Sequence, residues 1–154
     1  MSAQGWRHFP FARLRDFHDG DTCEVEVDSG FGAFQRVAVR IYGLSAPEVS
    51  GREKGIGLDA LRIAREIAWS GEAVDGTPCA LWTWKQSFNR YVGRIQIRGQ
   101  RTFDLAQAIL AEGAARAWDG KAARPEFAEF PVANADVEVA LYQRLLARDF
   151  RAPD

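Results

Sequence analysis

Asp19-Gly20-Asp21-Thr22 and Arg40-Ile41-Tyr42-Gly43-Leu44-Ser45-Ala46-Pro47-Glu48 are the stretches on which the fold of this chain turns. The first sets two carboxylates beside a glycine that tolerates a positive φ, between two alternating runs, and so predicts a tight turn joining strands. Acidic groups then sit at the rim of a sheet. The second begins as a strand, Val37 to Ile41 with apolar odd positions, and breaks at Gly43 and Pro47 before offering Glu48. An arginine and a carboxylate thus bracket one loop. Hard oxygen donors near a guanidinium suit a divalent cation and a phosphate, because both cations offset charge on non-bridging oxygens. The pair points to phosphodiester chemistry.

On either side of these stretches the periodicity is that of short strands and helices. Phe11 to Phe17 and Thr22 to Asp28 form a hairpin through Asp19-Gly20, with Cys23, Val25 and Val27 on one face and Glu24 and Glu26 on the other. Ser29-Gly30-Phe31-Gly32 is a second turn, and Phe34 to Tyr42 a third strand. Leu58, Leu61, Ile63, Ala64 and Ile67 recur at helical spacing up to about Gly71. Ala80 to Trp84 and Tyr91 to Ile97 read as two further strands, with Asn89 in the turn between them. Asp104 to Glu112 reads as a helix stopped by Gly113. A third helix lies within Ala133 to Asp149, capped by Asn134, with Val137, Val139, Ala140, Leu141, Leu145 and Leu146 as its apolar face. Five short strands interrupted by a helix, with more helices trailing, predict an α+β fold. A small closed barrel under helical cover is expected, the OB fold being one form. Periodicity alone is also met by other α+β arrangements.

A chain of 154 residues fits one domain with its own core, and 47% apolar with 27% charged residues is a globular composition. No run approaches the roughly 18 apolar residues of a membrane span, and Met1 to Pro10 lacks the apolar stretch of a secretory signal, so a soluble, cytoplasmic protein is expected. A net charge of -1 excludes a global basic footprint, so any polyanion must be held by a local cluster. That cluster would be arginine, since the only lysines are Lys54, Lys85 and Lys121. Cys23 and Cys79 fall in predicted strands, where a thiol acts as a small hydrophobe, and their spacing suggests no zinc site.

Asp19-Gly20-Asp21-Thr22, then Arg40, Pro47-Glu48, a glycine-rich lead into a helix, Phe88-Asn89-Arg90-Tyr91-Val92-Gly93-Arg94, and Leu105 to Gly113 together resemble the staphylococcal nuclease (thermonuclease-like) family. The likeness runs from about Phe11 to Trp118, and Val27-Asp28-Ser29-Gly30-Phe31-Gly32 further resembles phage and bacterial intracellular members. The resemblance implies a five-stranded OB-type barrel with three helices, spanning 1–154 as a single domain with a core of about 11–118 and a C-terminal helix of about 134–149. It implies endonuclease activity on DNA and RNA of low sequence specificity, typically with calcium. A single-stranded substrate and a monomeric protein are expected.

Carried over position by position, the resemblance makes Asp21 a metal carboxylate with Asp19 behind it, and the Ala46 carbonyl a further ligand. Arg40 and Arg90 would bind the scissile phosphate, and Glu48 would orient or deprotonate the attacking water. The second arginine can be aligned in two ways, and Arg94 is the alternative to Arg90. Arg94 and Tyr42 are also substrate-contact candidates, with Trp118 a further stacking residue. The departure is Ser45, where the family places a second metal-binding aspartate. A neutral hydroxyl there removes a charge and a strong donor from a hard-cation site. Two readings follow: a nuclease with weakened metal affinity, or a catalytically impaired domain that binds single-stranded nucleic acid or a protein.

Overall fold

The computed structural model describes residues 5–69, 76–87 and 90–153, with side chains described outside 84–90. Its strands are β1 (Arg7–Asp19), β2 (Thr22–Gly30), β3 (Ala33–Ile41), β4 (Leu44–Ser45), β5 (Thr77–Ser87), β6 (Arg90–Arg98), β7 (Thr102–Asp104) and β8 (Arg116–Ala117). The α-helices are α1 (Lys54–Ala68), α2 (Leu105–Ala111) and α3 (Ala135–Asp149), with a 3-10 turn at Gly51–Glu53 leading into α1. This is a mixed α+β fold. The six-stranded sheet runs β3-β2-β1-β5-β6-β7, while β4 and β8 form a separate pair. Neighbours along the sheet are antiparallel, and a parallel pairing of β3 with β6, Val39 opposite Tyr91 and Ile41 opposite Gly93, closes five of its strands into a ring. Strand β1 serves two neighbours and carries register shifts between Phe9 and Ala12 and between Leu14 and Asp16, where extra residues bend and twist it around the ring.

The alternating residues of the first hairpin face inward as expected: Leu14, Cys23 and Val25 are fully buried, together with Val39 and Ile41 from β3 and Leu81 and Ile95 from β5 and β6. Both cysteines are free thiols in this interior. Glu24 and Glu26 face out and pair with Arg36 at 3.2 and 3.3 Å. Helix α1 turns Ala60, Leu61, Ala64 and Ala68 toward the ring, and these small side chains permit close approach. Gly20 is placed by that approach rather than by a positive φ. A Cβ there would lie 2.7 Å from the Ala46 Cβ and 3.2 Å from that of Ala60.

Asp104 caps α2 as anticipated, its carboxylate accepting from the Gln107 N–H at 3.0 Å. Asn134 precedes α3 without a side-chain capping bond. Helix α3 packs Val139, Leu145 and Leu146 of its expected apolar face half-buried against the core, but its two most deeply buried residues lie outside that set. Glu138 and Tyr142 are buried, whereas Val137 and Leu141 are exposed. Polar partners decide this rotation. The Tyr142 hydroxyl donates to Asp104 at 2.7 Å, and Arg116 meets the Glu138 carboxylate at 2.7 Å. Two satisfied buried polar groups fix the helix more specifically than apolar area does. Among the described residues no helix is long and apolar enough to cross a membrane.

Candidate functional site

The turn between β1 and β2 and the loop after β3 meet at one end of the ring. Thr22 pairs with Arg40 across β2 and β3, and the Ile41 N–H donates to the Asp21 carbonyl at 2.8 Å, so Asp21 and Arg40 arrive side by side. Asp21 is buried. One carboxylate oxygen accepts from the Ala46 N–H at 2.9 Å and the other from the Thr22 hydroxyl at 3.1 Å, while the Asp21 N–H donates to Asp19 at 3.0 Å. Burial, with the Asp19 carboxylate next to it, pushes the Asp21 carboxyl up to about 7, against the pull of the Ala46 N–H and Arg40.

Arg40 lies with its guanidinium 4.5 Å over the Trp118 indole. The two border a cleft of about 190 Å³ that Leu44, Val92, Asp119, Lys121 and Asp149 also line. Its charged lining is two cations, Arg40 and Lys121, and two carboxylates, Asp119 and Asp149, around an aromatic floor. Trp118 reaches it because its N–H donates to the Gly43 carbonyl at 2.9 Å, a link that follows from the β4–β8 pairing.

Glu48 is exposed, on a loop fixed from two sides. Its N–H donates to Glu53 at 3.0 Å, and Gly57 on α1 packs so closely that a Cβ would overlap the Glu48 carbonyl. Arg90 opens β6 opposite Ser87, and its side chain lies outside the described residues, as do Phe88 and Asn89. The structure thus brings together Asp19, Asp21, Arg40, Ser45 and Ala46.

Arg94 and Tyr42, the substrate-contact candidates, both have internal partners, and Tyr42 also lines the Arg40–Trp118 cleft. Arg94 is paired with Asp104 at 2.9 Å and lies 4.7 Å over the Phe150 ring, because the acid that caps α2 is its nearest countercharge. Tyr42 is buried, its ring edge-on to Trp6 at 5.7 Å and its hydroxyl on Asp149 at 2.6 Å. Most of its ring is therefore packed in the core.

The oxygens that the resemblance assigns to calcium do not fit that ion as they stand. Calcium takes six or more oxygens, several of them carboxylate. Here both Asp21 oxygens already accept hydrogen bonds, Ser45 is neutral and shut from solvent, and Arg124 donates to the Ala46 carbonyl at 2.6 Å. Among the described residues no group of three His, Cys, Asp or Glu side chains is placed to hold a metal. The Ser45 Oγ finds no hydrogen-bond partner among the described residues. Arg124 and Lys121 were not legible as site residues, since both depend on a backward fold of the segment after β8. The one local signal of that fold is Asp119-Gly120, a turn pair. No family model matches the chain, and no curated protein matches it.

Proposed function

We propose that this chain is a domain of the staphylococcal nuclease type that receives the phosphodiester backbone of DNA or RNA, preferably single-stranded, at the Arg40–Trp118 cleft. The ring of five strands with a helix inserted between β3 and β5 supports reading it as an OB-type barrel. The observation that carries the function is the Arg40 guanidinium stacked on Trp118 beside Asp21, with Lys121 on the same cleft. A guanidinium backed by an aromatic face offers charge-assisted hydrogen bonds to phosphate, and the part of the indole face that Arg40 leaves open offers a stacking surface for a base. With Ser45 neutral and the Ala46 carbonyl taken, the arrangement as it stands favours holding a strand over calcium-dependent cleavage.

Hydrolysis is the second reading, favoured by Glu48, an exposed carboxylate two residues from Ala46 on a fixed loop. In it Glu48 takes a proton from the water attacking phosphorus, and Arg40 and Arg90 offset the charge on the pentacoordinate phosphorus and on the departing 5' oxygen. A labelled oligothymidylate followed by anisotropy and by gel separates the two, using wild type, Arg40→Ala and Glu48→Gln in EDTA, calcium and manganese. Binding lost in Arg40→Ala without cleavage in any buffer supports the holding domain. Cleavage lost in Glu48→Gln puts hydrolysis first, and a wild type that neither binds nor cuts ends both.

A further inference from the structure

The segment after β8 folds back across the rim and is tied along its length. The Trp118 indole N–H donates to the Ala122 carbonyl at 2.9 Å, and Asp119 accepts from the N–H groups of Lys121 and Ala122 at 2.8 and 2.9 Å. Further on, Arg116 donates to the Glu126 carbonyl at 3.2 Å, and the Val132 N–H donates to the Gly113 carbonyl at 2.8 Å. Held in this way, the segment lays Arg124 on the loop that follows β4. The Arg124 Nη2 donates to the Ala46 carbonyl at 2.6 Å and to Glu53 at 3.0 Å.

Both bonds use the same nitrogen. Among the described residues the Nε and Nη1 N–H groups of Arg124 make no hydrogen bond, and the side chain is 34% exposed. With Nη2 occupied no two-pronged edge is left, but the Nε–H and the Nη1–H groups can each donate a charge-assisted hydrogen bond to a phosphate oxygen. A short chain of bonds joins Arg124 to the rest of the site. Ala46 donates to Asp21 through its N–H and accepts from Arg124 through its carbonyl, and Asp21 adjoins Arg40. We infer that Arg124 is the cation of this site. Its guanidinium, in place of a divalent metal, meets the phosphate of the bound strand, and binding is independent of metal. The inference rests on the cleft being a phosphodiester site.

The test titrates the full chain into labelled oligothymidylate at several salt concentrations, in EDTA and in calcium, with wild type, Arg124→Gln, Arg124→Lys and Arg40→Ala. Melting temperature with and without calcium is recorded for each protein. Wild-type affinity should be the same in EDTA and calcium, and calcium should leave its melting temperature unchanged. Arg124→Gln should lose about tenfold in affinity and reduce the salt slope by roughly 0.7, the loss of one phosphate contact on a single strand. Arg124→Lys should restore the slope but only part of the affinity, since it keeps the charge without the planar guanidinium that can hold Ala46, Glu53 and a phosphate at once. Binding that requires calcium, a wild-type melting temperature that rises with calcium, or an Arg124→Gln protein equal to wild type overturns the inference while Arg40→Ala still shows the cleft to be the binding site. A wild type that does not bind, or an Arg40→Ala protein that binds equally well, instead overturns the phosphodiester reading and this inference with it.

Discussion

Arg40 lies 4.5 Å over Trp118, although the two are far apart in sequence and belong to different sheets' neighbourhoods. The contact holds the guanidinium over an indole in the lining of a cleft, where it can face a phosphate. Replacing Trp118 with Ala should weaken oligothymidylate binding by about 1–3 kcal/mol, the range of one base–aromatic stack. The change should leave the salt slope intact. Anisotropy titrations at several ionic strengths check this, and a slope that falls with the affinity would show that Trp118 acts mainly by holding Arg40.

Gly57 separates a steric demand from helix propensity. A Cβ there overlaps the Glu48 carbonyl, whereas one at Gly55 meets nothing. Gly55→Ala should therefore stabilise the protein by roughly 0.5–1 kcal/mol, and Gly57→Ala should destabilise it by roughly 1–3 kcal/mol. Urea unfolding of both variants compares them directly. Equal and opposite shifts from these expectations would mean that the loop carrying Glu48 is not seated on α1.

Arg94 is assigned to stability rather than to substrate. Its carboxylate partner Asp104 also caps α2 and accepts from Tyr142, so Arg94→Ala should cost roughly 1.5–3 kcal/mol. Oligonucleotide affinity should not change for the folded variant. A loss of affinity with unchanged stability would return Arg94 to the substrate.

How much of this was legible varies with the range of the interaction. The β1–β2 hairpin, the inward set of Cys23, Val25 and Val27, and the Asp104 cap are written in local periodicity and in one capping side chain. A closed barrel was expected, but the pairing that closes the ring was not legible, because a parallel β3–β6 ladder leaves no local mark. Gly20 was read for its backbone freedom, when its reason is the nearness of Ala46 and Ala60, which only packing reveals. The inward face of α3 was legible in Val139, Leu145 and Leu146, but not in Glu138 and Tyr142, whose partners lie on other elements. Arg124 was hidden for the same cause: its place is set by a segment that must first fold back.

Asp149 links acid stability to the docking of α3. Hydrogen bonding to Arg148, with help from the Tyr42 hydroxyl, holds its carboxyl down to about 2 from the usual 3.8. A depressed carboxylate contributes stability that is present above its unfolded value and lost as pH falls through the folded one, here between about 4 and 2. Asp149→Asn should lower stability at neutral pH by roughly 1 kcal/mol and flatten the acid limb in that window. Thermal melts from pH 7 down to pH 2 give the comparison, and parallel acid limbs would refute the linkage.

The most direct measurement is the salt-dependent affinity of the full-length chain for a labelled single strand, wild type against Arg40→Ala. The account predicts binding that falls steeply with salt and is largely abolished in the variant, with its fold intact by circular dichroism. Absence of wild-type binding at low salt, or equal affinity of the two proteins, would contradict it.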